Sequence, residues 1–526
     1  MVNMSQTKSI CPECQKKIDA QLSNQNGKIQ LTKQCPNHGN FQATHWQSPP
    51  IFNHMSKYDH FQYLGDLNAP KNPEGCPYVC ETCKNHASGT VIGVIDVTKR
   101  CNFRCAVCFS TFPGQETTDY EPTKEALIGM LEFAAKANPK PPAILFSGGE
   151  PLEREDMPEI IAAAHRLKFM TILATNGTHL VTDAGLAKRL KDSGLNIVYL
   201  SFDSFHEEFN KKIRGLPLVD LKLKAIDVCR KYDMEIILVN TLMKSLNDKE
   251  VGDMIRFAAK HTDIIRGLIF QPIAFTGRAT ENPFRENFRE WSFAEDVEKQ
   301  TNGEIQTTDL FPMSVMTSPI KIMRKFMQKP WPLFSCSPQC GIVNWIYVSP
   351  STGKMYPINR FVNFDRFFNT IRKTAETAET KNRFQLLTSL FMGAMISMNM
   401  MLVTKEVGTF TLIKSILQMH ISPSYQSLGK IRRRIFLLGC MAFMDSYNFD
   451  VNRVRRCVVH YITPDKKIIP FCAYNNVHRV AIENEYADRQ KPPTPQQTPL
   501  LNESQPELTI PPPTTQRTRK KQIPAQ

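Results

Sequence analysis

A repeated alternation of strand-like and helix-like segments, from Thr90 to about Ala279, is the feature that most restricts the fold of this chain. Six short apolar segments have the composition of buried strands: Val91–Val97, Ala143–Phe146, Thr171–Ala174, Ile197–Phe202, Glu235–Val239 and Gly267–Phe270. Amphipathic stretches lie between them: Lys124–Ala137, Met157–Leu167, Ala184–Ser193, Pro217–Lys231 and Asp248–Lys260. Such alternation produces a parallel sheet with right-handed crossovers. It predicts an α/β fold, a partial (β/α)6 barrel of the TIM type, whose chemistry gathers at the carboxyl ends of the strands.

A cysteine motif follows the first predicted strand. Cys101, Cys105 and Cys108 have C-x3-C-x2-C spacing in the segment VIDVTKRCNFRCAVCFS. Three thiolates at this spacing can bind three irons of a [4Fe–4S] cubane and leave the fourth iron open to a small molecule. Zinc is the alternative that the spacing, taken alone, leaves open.

The later predicted strands end in polar or glycine-containing sequence, such as FSGGEP, ATNG and SFD. We expect the two glycines of FSGGEP to let the backbone approach a ligand closely and Glu150 to contact a positively charged amino group. Any one of these segments could be a capped turn, but all of them together predict a site at the barrel mouth. The candidate ligand-binding residues are Ser147, Gly148, Gly149, Glu150, Thr175, Asn176, Ser201, Asp203, Asn240 and Gln271.

In this order, these segments resemble the radical S-adenosylmethionine (SAM) superfamily over roughly residues 91–275. The resemblance implies that the open iron binds the amino and carboxylate groups of SAM. It also implies reductive cleavage of SAM to a 5′-deoxyadenosyl radical, which abstracts hydrogen from an unactivated carbon. A ferredoxin or flavodoxin is then the expected electron donor.

The first 45 residues contain a second metal-binding pattern, C-x2-C followed by C-x2-H. Its ligands are Cys11, Cys14, Cys35 and His38. Four ligands at this spacing predict a tetrahedral structural site for zinc or for a rubredoxin-like iron. Because no position stays open, we expect the site to support folding rather than catalysis.

Further cysteines predict one or two auxiliary iron–sulfur clusters. Cys76, Cys80 and Cys83 repeat the C-x3-C-x2-C spacing just before the core, and His86 lies near them. A satisfied loop histidine is the simpler interpretation of His86. A second, more widely spaced set consists of Cys440, Cys457 and Cys472. Cys336 and Cys340 are candidate fourth ligands for either set, whereas Cys229 lies in a predicted helix and is expected in the core.

The order of motifs extends from about residue 8 to 485: CPEC, CPNHG, GCPYVCETCKNH, DVTKRCNFRC, FSGGEP, Ile265–Arg278, QCG, CMAFMDSYNFD and RCVVHYITPDKKIIPFCAYN. It resembles the radical SAM family that includes tetraether lipid synthases and 7,8-dihydro-6-hydroxymethylpterin dimethyltransferases. That resemblance implies either coupling of two lipid chains by a C–C bond or methyl transfer to a pterin. Glu81 and Ala106 depart from the family pattern, which expects glycine and proline there, without removing a ligand.

Charge and one uncharged segment favour the lipid substrate over the pterin. The net charge is +15, of which +12 remains once the tail from Gln490 is set aside, and it is spread over the body of the chain. Such a charge suits an anionic head group and gives little support to nucleic-acid binding. Phe384–Thr404 carries no charged residue for 21 positions and is rich in methionine. Its polar residues weaken a membrane-spanning interpretation, so we expect a buried helix, with contact to a membrane surface left open.

The N-terminal residues contain no apolar stretch typical of a secretory signal. We therefore expect a cytoplasmic protein with reduced thiols, whose clustered cysteines are ligands and not disulfides. The expected organisation is a metal module (1–45), a bridge (46–90), the barrel (91–280), a helical and auxiliary-cluster region (281–487) and a disordered Pro/Gln/Thr-rich tail (488–526). A non-catalytic metal scaffold and a peptide-modifying radical enzyme stay open as alternatives.

Overall fold

The computed structural model describes residues 5–59, 75–80, 86–111, 120–281, 292–327, 330–378, 380–406 and 429–490. Its N-terminal part is an antiparallel sheet in the order β1-β2-β3-β4, formed by Ser5–Ile10, Lys17–Gln25, Lys28–Cys35 and Gly39–Trp46. Asn26 and Gly27 connect β2 to β3, and both have positive φ, 52° and 73°. An Asn-Gly pair in this conformation is the turn whose twist matches that of the flanking strands.

The second sheet contains the six predicted barrel strands in sequence order, all parallel. They are β5 (Ile92–Asp96), β6 (Ala143–Ser147), β7 (Met170–Thr175), β8 (Ile197–Ser201), β9 (Glu235–Leu242) and β10 (Ile265–Pro272). The α/β barrel-type fold predicted from the sequence is thus confirmed. Observed strand ends differ from the predicted ones by up to three residues, because pairing with neighbouring strands, and not local composition alone, sets where a strand stops.

Helices connect successive strands of the parallel sheet, and several of them bury apolar side chains in its core. On Lys124–Lys136 the buried residues are Leu127, Met130, Leu131 and Ala134, which is helical spacing. The helices that surround the parallel strands are α1 (Pro49–Ser56), α2 (Lys124–Lys136), α3 (Met157–Arg166), α4 (Thr178–Thr182), α5 (Leu186–Asp192), α6 (Glu207–Arg214), α7 (Val219–Lys231), α8 (Val251–Lys260) and α9 (Phe293–Gln300).

The C-terminal part of the chain adds strands to both edges of the barrel sheet. β11 (Phe311–Pro312), β12 (Gly341–Val348) and β13 (Met355–Pro357) precede β14 (Ile435–Met441), β15 (Val459–Ile462) and β16 (Ile468–Pro470). β14 lies parallel to β10, and β15 lies parallel to β5. β12 and β16 then pair antiparallel to these two strands. Among the residues that the structure describes, the parallel part of the sheet therefore has eight strands, two more than the six predicted.

Longer helices in the rest of the described chain are α10 (Thr317–Met327), α11 (Phe364–Glu376), α12 (Arg383–Ser397), α13 (Met400–Glu406), α14 (Gly429–Arg432), α15 (Val451–Val454) and α16 (Arg479–Gln490). The uncharged segment Phe384–Thr404 is thus divided between α12 and α13. Met398, between them, forms an isolated β-bridge with Val362. Within the described parts of the chain, no helix has the length and apolar character needed to cross a bilayer. Most of the predicted tail, from residue 491 onward, lies outside the described residues.

Candidate active site

The loop that carries Cys101, Cys105 and Cys108 follows β5 and is supported by the end of β6. The Gly149 backbone N–H donates to the Thr98 carbonyl oxygen at 2.7 Å. A Cβ atom built on Gly149 would lie 2.1 Å from the Arg100 carbonyl oxygen, and one on Gly148 would lie 2.3 Å from that of Thr98. Both glycines therefore permit close approach of the cysteine loop itself, a contact that the sequence analysis had assigned to a ligand.

The three thiols of this loop influence one another electrostatically. Burial, together with the charges of Glu150, Cys105 and Cys108, raises the pKa of Cys101 to about 12. Burial also raises the pKa of Cys105, while the guanidinium of Arg214 opposes the shift. Thiolates gathered in a partly buried loop need a strong positive charge beside them. An iron cluster supplies that charge, so the donor set fits a [4Fe–4S] cluster.

Glu150, at the end of β6, is almost fully buried and joins three segments of the site. Its carboxylate accepts hydrogen bonds from Thr175 Oγ1 at 2.7 Å, from the Asn176 N–H at 2.7 Å and from the Leu152 N–H at 3.2 Å. Burial raises its pKa, and these donors oppose the shift. Asn176 Nδ2 donates to Asn102 Oδ1 at 2.7 Å, which ties the end of β7 to the cysteine loop.

Asp203, just after β8, is the acceptor for a second group of site residues. Arg214 Nε and Nη2 donate to its two carboxylate oxygens at 2.8 and 3.0 Å, and the Thr241 N–H donates at 2.8 Å. Although burial acts to raise the Asp203 pKa, Arg214 keeps it lowered. Arg214 Nη1 also donates to the Val107 carbonyl oxygen, at 3.2 Å. Asn240 donates to the Asp203 carbonyl oxygen at 2.5 Å, and its own Oδ1 has no partner among the described residues.

Lys222 from α7 brings a buried positive charge to the same strand ends. Its Nζ donates to the Asn176 carbonyl oxygen at 2.6 Å and to Ser201 Oγ at 3.0 Å. Burial lowers its pKa to about 8. Gln271 at the end of β10 donates to Tyr199 Oη at 3.0 Å. The predicted residues Ser201 and Gln271 are thus both placed by contacts to side chains that the sequence analysis did not select.

Three further contacts to the cysteine loop were not predicted from the sequence. Arg278 Nη1 donates to the Cys105 carbonyl oxygen at 2.7 Å, and the Arg278 N–H donates to that of Cys108 at 3.0 Å. The Ala106 N–H donates to the Ile213 carbonyl oxygen at 2.9 Å, a bond that proline at this position lacks. Arg278 is the last residue of the Ile265–Arg278 segment, which is part of the family resemblance. The sequence therefore contained a signal that could have identified Arg278 as a site residue. Arg214 is followed by Gly215, which has positive φ, but a helix-ending glycine does not identify a site residue.

A buried ionic network ties the C-terminal helix α16 to the start of the cysteine loop. Arg479 Nη1 lies 2.6 Å from Asp96 Oδ2 and 2.7 Å from Glu483 Oε1. Lys99 Nζ lies 2.5 Å from Glu483 Oε2 and also donates to the Ser110 carbonyl oxygen. Because Lys99 and Ser110 lie on either side of the cysteine motif, this network fixes both ends of the loop.

The N-terminal candidate metal ligands come together. Cys11 Sγ and Cys35 Sγ lie 3.7 and 3.5 Å from His38 Nδ1, and Cys14 Sγ lies 3.9 Å from Cys35 Sγ. All four ligand atoms lie within 4.8 Å of one another. Burial acts to raise the Cys35 pKa, but hydrogen bonds from Asn37 and His38 lower it to about 6. The arrangement fits tetrahedral zinc or iron, for which Zn–S bonds of about 2.3 Å give ligand separations of roughly 3.8 Å.

Family models and relatives agree with this geometry. The Radical SAM superfamily model matches residues 95–258, and the HMPTM N-terminal zinc ribbon domain matches residues 3–47. The 7,8-dihydro-6-hydroxymethylpterin dimethyltransferase of Methanocaldococcus jannaschii is 36% identical over 488 residues, which is 91% of this chain and 95% of the relative. The chain belongs to the radical SAM superfamily and, within it, to the family of this dimethyltransferase. Its cofactors are therefore SAM and [4Fe–4S], with zinc or iron in the N-terminal site.

Other similar proteins match smaller parts of this chain. The probable GTP 3′,8-cyclase of Pyrococcus abyssi is 33% identical over 172 residues, 33% of this chain and 54% of that protein. Streptococcus suis SuiB bound to S-adenosylmethionine is 15% identical with a TM-score of 0.33, covering 41% of this chain and 47% of that one.

Several of the remaining cysteines of this radical SAM protein lie near one another, in the C-terminal part of the core. Cys76 and Cys80 pack in the same apolar cluster as Cys457 and Cys472. Cys80 Sγ donates to the Pro77 carbonyl oxygen at 3.2 Å. Cys83 lies outside the described residues. Of the first predicted auxiliary set, the structure therefore places Cys76 and Cys80.

The candidate ligands of the second auxiliary set lie in two different parts of the core. Burial is the main cause that raises the pKa of Cys457, and Cys472 and Cys340 raise it further. Burial also raises the pKa of Cys336, and the charges of Cys340 and Cys457 add to this increase. The raised pKa of Cys440 has burial as its sole cause, and Cys440 packs in the main barrel core. The charges of Cys336, Cys340, Cys457 and Cys472 thus influence one another, whereas Cys440 packs in a different apolar core.

Proposed function

We propose that this radical SAM enzyme is a methyltransferase that acts on a pterin. The observation that carries the proposal is the 36% identity to the M. jannaschii dimethyltransferase, which extends over 91% of this chain and 95% of the relative. Similarity of that extent includes the metal module and the C-terminal region as well as the barrel. It favours the pterin over the lipid substrate that charge and methionine content had suggested.

The residues of the site support radical chemistry in distinct ways. When bound, the cluster and SAM supply the radical that activates a carbon atom. The cysteine loop is fixed by Lys99 and Arg278, and the Arg214–Asp203 pair and Lys222 hold the ends of neighbouring strands. Most of these side chains are buried, so the site keeps its shape without reorganisation when charge changes on the cofactor.

The test is an anaerobic assay on reconstituted full-length protein with SAM, a strong reductant and 7,8-dihydro-6-hydroxymethylpterin. We expect 5′-deoxyadenosine together with a pterin whose mass has grown by one or two methyl groups. The matched control is Cys101→Ala, which we expect to abolish both products. SAM cleavage without any methylated pterin would contradict the pterin assignment while preserving the radical SAM assignment.

A lipid is the second candidate substrate, and one surface feature favours it. Met392 and Ile396 on α12 and Met401 on α13 are 49%, 58% and 82% exposed. Arg366, whose Nη1 donates to the Ile396 carbonyl oxygen at 3.4 Å, and Lys405 are exposed beside them. An apolar patch with basic neighbours suits the surface of an anionic membrane.

This second candidate predicts C–C coupling of two lipid chains and peripheral binding to membranes. The same assay with archaeal-type ether lipids in anionic vesicles tests it. A coupled lipid product, with no methylated pterin, would replace the pterin proposal. We also propose a cytoplasmic location and a ferredoxin or flavodoxin as donor, which is tested by substituting each purified donor for the chemical reductant.

A further inference from the structure

Two polar side chains of the barrel sheet contact each other across an intervening strand. Gln271 Nε2, near the end of β10, donates to Tyr199 Oη of β8 at 3.0 Å. In the sheet, β9 lies between these two strands. A direct contact over that span requires both side chains to lie on the same face of the sheet.

That face, called here the inner face, is the one turned away from the apolar core that the sheet shares with its helices. On β8, Val198 and Leu200 are fully buried in that core, whereas Tyr199 between them points the opposite way and stays partly accessible. The same alternation on the neighbouring strands leaves three apolar inner-face residues partly accessible: Leu145, Ala174 and Ile237. The inner face therefore combines apolar surface with one polar pair, which is the usual composition of a site for a small organic ligand.

The two side chains keep hydrogen-bonding groups that the protein does not use. A carboxamide has one acceptor oxygen and two N–H donors, and Gln271 uses one N–H on Tyr199. Within the described chain, its Oε1 and its second N–H have no partner. Tyr199 accepts in this bond and keeps its own O–H, because burial raises the pKa of the phenol. The pair thus presents one acceptor and two donors.

The pair lies next to the residues of the SAM site. Gln271 is in register with Thr241 of β9, whose Oγ1 accepts a hydrogen bond from Arg214 Nη2 at 2.9 Å. Tyr199 precedes Ser201, the last residue of β8, by two positions, which is about 6.6 Å along a strand. A ligand bound to the pair would therefore reach from inside the barrel toward the strand ends.

We propose that Gln271 and Tyr199 bind the pyrimidinone edge of the pterin, and that they determine substrate specificity and do not bind SAM. This inference rests on the pterin substrate of the proposed function. The pyrimidinone edge presents an N–H beside a carbonyl oxygen, and the Oε1 and second N–H of Gln271 match these two groups. The Tyr199 hydroxyl supplies one further hydrogen bond. The other end of the fused ring, which carries the 6-hydroxymethyl group, then faces the strand ends.

This arrangement distinguishes a heterocycle from a lipid chain. A site built to hydrogen-bond its substrate rejects a molecule without matching groups, because the polar atoms of the site then stay unpaired. A hydrocarbon chain would leave Gln271 and Tyr199 in that condition. The pair therefore favours the first candidate substrate over the second.

The experiment is anaerobic equilibrium dialysis of reconstituted full-length protein, with 7,8-dihydro-6-hydroxymethylpterin and separately with SAM. We expect Gln271→Leu to weaken pterin binding roughly 10- to 100-fold and Tyr199→Phe, which keeps the ring, about 5- to 10-fold. Affinity for SAM and iron content should stay unchanged in both. The matched control is Gln30→Leu, which removes an amide that donates to Thr44 Oγ1 at 3.2 Å in the N-terminal sheet and should change neither affinity.

The outcomes separate this inference from the proposed function. Unaltered pterin affinity in both variants would overturn the inference and leave the proposed function intact. Weaker binding of SAM in Gln271→Leu would also overturn it, since Gln271 would then belong to the SAM site. Absence of pterin binding by the unmodified protein would overturn the proposed function together with the inference.

Discussion

Arg214 at the end of α6 holds the Asp203 carboxylate with two hydrogen bonds, at 2.8 and 3.0 Å, and thereby ties α6 to the end of β8. The same guanidinium reaches the carbonyl oxygen of Val107, inside the cysteine loop. One ion pair therefore connects the cluster-binding loop to the ends of β8 and β9.

Removing one partner of this pair should be strongly destabilising. The Asp203 side chain is 2% exposed, and an isolated buried charge costs roughly 3–5 kcal/mol of unfolding free energy. We expect Arg214→Ala to lose stability on that scale in urea unfolding. The control is Arg230→Ala, whose half-exposed pairs with Asp227 and Asp263 should contribute at most about 1 kcal/mol. Equal losses in the two variants would contradict the role given to the buried pair.

A single methyl group at Gly149 should displace the cysteine loop. Its Cβ would lie 2.1 Å from the Arg100 carbonyl oxygen, a contact with backbone that side-chain rotation cannot relieve. We expect Gly149→Ala to fold but to bind about one [4Fe–4S] cluster less, as measured by iron and sulfide analysis. Gly129→Ala, in α2 with nothing within 4 Å of its Cβ, should keep full iron content. Normal iron content in Gly149→Ala would show that the loop can move aside.

The buried Lys222 predicts a pH dependence of stability. Its pKa is about 8 in the folded protein and 10.5 in the unfolded chain, so the unfolded chain binds more protons between these values. Stability attributable to Lys222 should therefore rise with pH from 8 to 10.5, by up to about 1.4 kcal/mol per pH unit. The measurement is urea unfolding of the unmodified protein and Lys222→Met across this range. A difference between the two that stays constant with pH would contradict the lowered pKa.

The N-terminal metal should be separable from the cluster of the SAM site. Cys14→Ser removes one of four ligands that lie within 4.8 Å of one another, so we expect elemental analysis to show loss of one zinc or iron per chain. Labile sulfide should not change, because no cluster is involved. Cys229→Ser alters a buried cysteine of the barrel core and should retain the metal. Loss of sulfide in Cys14→Ser would mean that the two sites are coupled.

In the second auxiliary group, the structure predicts different iron contents for variants of Cys336 and of Cys440. We expect Cys336→Ala to lose iron and sulfide, because its thiol interacts with those of Cys340 and Cys457. Cys440→Ala should keep both, since Cys440 packs in the barrel core away from the other thiols. The reverse result would show that Cys440, and not Cys336, binds the cluster.

Much of the barrel was predictable because its signals are local. Each strand and helix is marked by its own apolar periodicity, as in the buried face of Leu127, Met130 and Leu131, and each strand end by a short polar motif. The metal ligands Cys11 and Cys14 follow the same rule, since a two-residue spacing already limits how far apart two thiols can lie.

The amino-acid sequence by itself determined the six strand–helix units, the cysteine motif after the first strand and the N-terminal metal site. Only the tertiary structure decided that β14 and β15 extend the sheet at its two edges, that Arg479 of α16 pairs with Asp96 at the end of β5, and that Cys336 interacts with Cys340 and Cys457 while Cys440 packs in the barrel core. Apolar periodicity reports that a residue is buried, but it carries no information about which distant residue is buried beside it. Pairings between segments hundreds of residues apart are chosen by packing and by the need to satisfy buried charges, and these exist only in the folded chain.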